Sequence, residues 1–144
     1  MIENKINIIL NYFKVGDFKY VIKETIKLSN KNPNNSYLKN LLGLAYLETG
    51  AKIQAVENFS LAIKLNPKNI SALNNLGNAF KYLNKYEQSE KFYLRALNLN
   101  PNFIDALNNY GNLKHNINQP YEAITLLNKA LSINENNYKA AYNL

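Results

Sequence analysis

The chain has 144 residues, 17 basic against 10 acidic for a formal charge of +7, no cysteine, and a single histidine, His115. Without cysteine there are no disulfides or thiolate metal sites, and one histidine cannot build a zinc site, so neither metal nor cofactor is expected. Every basic residue except Arg95 is a lysine, and they are scattered, so the bidentate arginine contacts that read phosphate and guanine are missing and no specific nucleic-acid partner is expected.

No apolar run approaches the roughly 18 residues of a membrane span. The first ten residues, Met1 to Leu10, are interrupted by Asn7 and lack a small-residue cleavage site, so they do not read as a secretory signal. A cytoplasmic protein with no membrane partner is the expectation. Asparagine supplies 28 residues while tryptophan is absent, the bias that an AT-rich coding sequence produces.

Pro33, Pro67 and Pro101 recur at a 34-residue interval, which also carries Leu42-Gly43 to Leu76-Gly77 and Ala62 to Ala96 to Ala130. Such self-similarity marks an array in which each unit leaves an apolar face for its neighbour to cover. The chain therefore reads as one array over residues 1–144.

The first unit, residues 2–35, is degenerate: Tyr12, Gly16 and Pro33 keep the phase, but Ile9, Val21 and Leu28 stand where the later units have small residues. The second, 36–69, runs through Leu42, Gly43, Tyr46, Ala55, Phe59, Ala62 and Pro67. In the third, 70–103, Leu73, Leu76, Gly77, Phe80 and Leu83 recur at helical spacing, and Tyr86, Tyr93, Ala96 and Leu97 repeat the pattern after a break. Two amphipathic helices are predicted there. Asn84 with Glu87 three residues on reads as the cap of the second.

Asn100-Pro101 stops that helix, because proline lacks the amide hydrogen and pushes Asn100 from helical geometry. The fourth unit, 104–137, keeps Gly111, Ala123 and Ala130, and Pro120 falls in the first turn of a helix, where its missing donor is harmless. Residues 138–144 restart a further helix. A mid-helix glycine costs about 1 kcal/mol relative to alanine, so Gly43, Gly77 and Gly111 at one phase imply close helix approach.

Those residues resemble the tetratricopeptide repeat, whose 34-residue helix–turn–helix unit has leucine-glycine, aromatic, alanine and proline positions in this order. The family tryptophan is replaced by Lys39, Leu73 and Leu107, Ser89 takes the place of the first alanine, and the fourth unit has Tyr110, Lys114, Leu127 and Glu135 at leucine, aromatic and proline positions. The resemblance implies an all-α, right-handed solenoid of stacked antiparallel helix pairs. The stretch Asn74-Asn75-Leu76-Gly77-Asn78 is similar to the N-N-L-G-N run of O-linked N-acetylglucosamine transferase arrays.

With Leu73, Leu76 and Phe80 inward, helical rotation places Ser71, Asn74, Asn75, Asn78 and Tyr82 on the opposite side, and Asp105, Asn108, Asn109, Asn112, His115 and Asn116 follow one repeat later. Asn40 joins them one repeat earlier. In the family this stripe lines a groove for ligand peptides, which the resemblance implies here. An asparagine amide both donates and accepts, so the stripe can hold a peptide backbone without demanding a side chain. Codon bias is the competing account, since asparagine also crowds the loops at Asn34-Asn35 and Asn136-Asn137. On the outward-stripe reading, replacing Asn75, Asn78, Asn109 and Asn112 by alanine leaves the fold intact or stabilised.

The family's carboxylate clamp fits poorly, because Asn74 and Asn143 stand where lysine and arginine are required. No nucleophile, base or glycine-rich phosphate loop is present, so the expected function is a non-catalytic scaffold binding an extended peptide or partner helix. The alternative is the substrate-recruiting region of a larger enzyme such as a glycosyltransferase or sulfotransferase. Self-association through an open C-terminal end is a further expectation.

Overall fold

The computed structural model describes residues 1–143; Leu144, the last residue of the restarting helix, lies outside them. The described residues contain helices and no strand: α1 (Ile2–Lys14), α2 (Phe18–Lys31), α3 (Ser36–Glu48), α4 (Lys52–Leu65), α5 (Ile70–Tyr82), α6 (Tyr86–Leu99), α7 (Ile104–Asn116), α8 (Pro120–Ile133) and α9 (Tyr138–Asn143). Consecutive helices pack as antiparallel pairs, and each pair packs on the next. The first helices also touch one another directly, α3 on α5, α5 on α7 and α7 on α9. This is an all-α solenoid with its apolar core strung along its length.

Glycine sets the spacing within a pair. A Cβ on Gly43 would lie 2.6 Å from the Phe59 ring, and one on Gly77 2.6 Å from the Tyr93 ring. On Gly111 it would lie 2.8 Å from Leu127. Ala55, Ala62, Ala96, Ala123 and Ala130 are buried at the neighbouring contacts. Ser89, which replaces an alanine, is fully enclosed because its hydroxyl donates to the Gly77 carbonyl at 2.7 Å. Burying that hydroxyl is tolerable only with such a partner.

The turn within each pair is built the same way four times. Gly16, Gly50, Asn84 and Asn118 have φ of +81°, +80°, +57° and +61°. The residue after each donates back five positions, as Lys85 N does to the Phe80 carbonyl at 2.9 Å and Gln119 N to the Lys114 carbonyl at 2.8 Å. This is a helix end with a left-handed residue, for which glycine and then asparagine are the accessible choices. Asn84 is therefore not the cap of α6: Lys85 holds that position and supplies no side-chain bond.

Between pairs, asparagine performs two other tasks. Asn66, Asn100 and Asn134 accept from the amides of Lys68, Asn102 and Asn136, closing turns after α4, α6 and α8. Asn35, Asn69 and Asn137 cap α3, α5 and α9 by accepting from Leu38, Ala72 and Ala140. Each bond satisfies a donor that the helix start or the turn leaves unpaired. Proline stops α2, α4 and α6 one residue past Asn32, Asn66 and Asn100, and Pro120 opens α8.

Candidate functional site

The sequence stripe lies along α3, α5 and α7, but its asparagines are not equally open. Ser71, Tyr82, Asp105, His115 and Asn116 are exposed, Tyr82 at 52%. Asn75, Asn78, Asn109 and Asn112 are half-buried. Asn40, Asn74 and Asn108 are buried, the last two at 5% and 3% exposure. That corrects their placement on an outward stripe. A single helical wheel assumes one buried face, whereas α5 and α7 are flanked by first helices on both sides as well as by their own partners.

The buried amides are held by the next repeat. Asn75 donates from Nδ2 to Asn40 Oδ1 at 3.0 Å, and Asn109 donates to Asn74 Oδ1 at 3.0 Å. These pairs are 35 residues apart, one more than the repeat, so each bond steps diagonally from one first helix to the next. Asn108 and Asn137 exchange two bonds, at 3.2 and 3.1 Å. Asn69 likewise donates to Ser36 Oγ, which donates to the Ala62 carbonyl, both at 2.8 Å.

A second row is fixed from the sides. Tyr93 donates its hydroxyl to Asn78 Oδ1 at 2.5 Å, and burial pushes that phenol well above its usual pKa. Lys81 donates to Asn112 Oδ1 at 3.2 Å, and burial lowers the Lys81 pKa. The four half-buried amides thus have one group anchored and the other turned to spare bonding capacity. Asn75 and Asn109 keep their carbonyl oxygens and a second N–H, and Asn78 and Asn112 keep their NH₂ groups, with no other partner among the described residues.

One cluster was not anticipated by any spacing in the sequence. Lys114, 5% exposed, bonds Glu90 at 2.7 Å, Glu122 at 2.8 Å and Gln119 Oε1 at 2.9 Å. Tyr110 donates to Glu90 and lies 5.2 Å beneath the Lys114 ammonium. Burial disfavours the lysine charge, but the hydrogen bonds that Lys114 donates to Glu122 and Glu90 outweigh it and raise its pKa. Lys114 and Tyr110 together hold Glu90 below the usual carboxylate range. Burial, reinforced by Glu90, pushes Tyr110 up to about 12. Lys114 sits at the phase of Tyr46 and Phe80, so an ion cluster here fills a space that an aromatic ring fills elsewhere. The carboxylates are tied to a cation and are not a paired acid and base.

Among the described residues no group of three histidine, aspartate or glutamate side chains could hold a metal. Among the same residues no helix is long and apolar enough to cross a membrane.

Family models described as tetratricopeptide repeat match residues 70–103 and 92–125, and one described as TPR repeat matches 43–83. Among curated proteins no sequence match is found. Solved structures share the fold. MamA is 24% identical, with 92% of this chain and 78% of that chain covered and a TM-score of 0.80. PilF of Pseudomonas aeruginosa is 21% identical, with 99% and 65% covered and a TM-score of 0.90. YrrB, described as a TPR protein with an unusual peptide-binding site, is 18% identical, with 91% and 68% covered and a TM-score of 0.79.

Proposed function

We propose that this chain, whose tetratricopeptide repeats set α3, α5 and α7 side by side, is a protein-interaction scaffold without catalysis of its own that holds an extended peptide along those helices. Proteins of this fold mediate protein–protein interaction, and YrrB is one with a peptide-binding site. The observation that carries the reading is the oriented set of Asn75, Asn78, Asn109 and Asn112, each with one end of its amide fixed by hydrogen bonding.

Amides fixed in this way lose little rotamer freedom on binding, which lowers the ordering cost that an exposed polar side chain incurs. Packed helices lie roughly 8–10 Å apart and an extended chain advances about 3.3–3.6 Å per residue. One repeat therefore meets about every third peptide residue. Tyr82 and His115, exposed beside the row, supply apolar area and a further hydrogen-bonding group at its edge. Asn40 and Asn74 support the row from beneath.

Recognition through backbone predicts a specific signature. Peptides selected from a random-sequence display library should lose binding when single backbone nitrogens are methylated at every third position, and tolerate most side-chain changes. Binding sensitive to side chains and indifferent to backbone methylation would overturn the reading.

A further inference from the structure

The first helix pair is packed differently from the others, and the difference leaves a cavity. Where the later repeats set Gly43, Gly77 and Gly111 against Phe59, Tyr93 and Leu127, the first has Ile9 and, at the facing phase, Thr25. Leu28 stands at the phase of Ala62. The large and small partners are exchanged, and the exchange is imperfect: the Thr25 and Ser29 hydroxyls are buried with no hydrogen-bond partner among the described residues. Bulky side chains at the close-approach positions hold two helices apart.

Between α1 and α2 a cavity of about 290 Å³ opens, at the lower edge of the range for small-molecule sites. Buried Ile9 and Leu28 form its floor with half-exposed Ile8 beside them, while the exposed Lys5, Lys27 and Lys31 stand round the mouth. Tyr20 forms a stiff wall, stacked on Tyr12 with ring centres 3.9 Å apart. Glu24 is the one acidic lining residue, and Lys27 bonds it at 2.7 Å. That bond, with Lys23 and Lys5 adding to it, holds Glu24 below the usual carboxylate range. Three lysines against one glutamate leave room for another anion.

We infer that the cavity between α1 and α2 is a binding site for a small amphiphilic carboxylate, its alkyl body on Ile8, Ile9 and Leu28 and its head among Lys5, Lys27 and Lys31. The apolar floor and the cationic mouth are both required: the floor alone would accept a neutral alkyl chain, and the lysines alone any anion. The site is independent of the asparagine row, which lies on α3, α5 and α7.

Octanoate titrated into the intact chain should shift the methyl resonances of Ile8, Ile9 and Leu28 in a saturable way, with octanol about tenfold weaker and acetate without effect. Lys5→Gln and Lys31→Gln should each weaken octanoate about two- to fivefold, the size of an exposed charge pair, and Glu24→Gln should tighten it. Combining Ile9→Gly with Thr25→Phe restores the close pairing of the later repeats and should abolish binding. If that variant fails to fold, the lysine and glutamate variants decide alone. Equal affinity for octanol, shifts elsewhere in the chain, or lysine and glutamate variants without effect would overturn the assignment.

Discussion

Asn109→Ala sets two effects of opposite sign against each other. Alanine is a better helix former than asparagine by about 0.5 kcal/mol in a helix interior, and an asparagine with no tertiary role should yield that gain. Asn109, however, donates to Asn74 Oδ1 at 3.0 Å, and Asn74 is 5% exposed. Leaving a buried amide without its partner costs about 1–3 kcal/mol. The penalty is larger, so Asn109→Ala should destabilise the chain by about 0.5–2.5 kcal/mol, lowering the melting temperature by about 2–4 °C per kcal/mol for a protein of this size. Stabilisation by alanine, the outcome for an outward stripe, is therefore reversed at Asn109, and by the same argument at Asn75 above Asn40.

The assay is urea unfolding followed by far-ultraviolet circular dichroism, with two companion variants. Asn128→Ala, on the exposed face of α8, should show the propensity gain unopposed. Asn74→Ala with Asn109→Ala removes both partners and should recover part of the loss, giving a coupling energy of about 0.5–3 kcal/mol. An Asn109→Ala chain as stable as Asn128→Ala, with no coupling in the cycle, would refute the diagonal amide bond as a structural element.

Lys114→Met should destabilise by about 1–2 kcal/mol, below the usual cost of breaking a buried ion pair because the side chains of Glu90 and Glu122, 32% and 55% exposed, can regain water. Since Glu90 has a lowered folded-state pKa, its contribution is present above the ordinary carboxylate value of about 4.3 and is lost as pH falls through the lowered one. Urea titrations should show the native chain losing more stability than Lys114→Met over that acid range, and parallel curves would contradict the ion cluster. Gly77→Ala should cost about 1–3 kcal/mol by overpacking, because the Tyr93 ring it meets at 2.6 Å is fully buried and tied to Asn78. Thermal unfolding of Gly77→Ala at or above the native temperature would contradict the close approach.

The repeat, the helix pairs, the proline stops and the glycine contacts were legible in the sequence because each depends on residues near in the chain or on a phase that recurs. Gly77 opposite Tyr93 is such a case: sixteen residues separate them, and the same interval places Gly43 opposite Phe59 and Gly111 opposite Leu127. The role of asparagine was only half legible. Its excess suits an AT-rich coding sequence, yet Asn35, Asn69 and Asn137 cap helices, Asn84 and Asn118 take left-handed turns, and Asn66, Asn100 and Asn134 close the connections. Only the tertiary structure decided which members of the stripe are buried, since the diagonal step of 35 residues depends on how one repeat is rotated against the next. The same holds for Lys114, whose partners Glu90 and Glu122 come from helices on either side of α7. A helical wheel gives a residue's direction from its own axis, whereas burial and pairing depend on what the neighbouring axes bring to meet it.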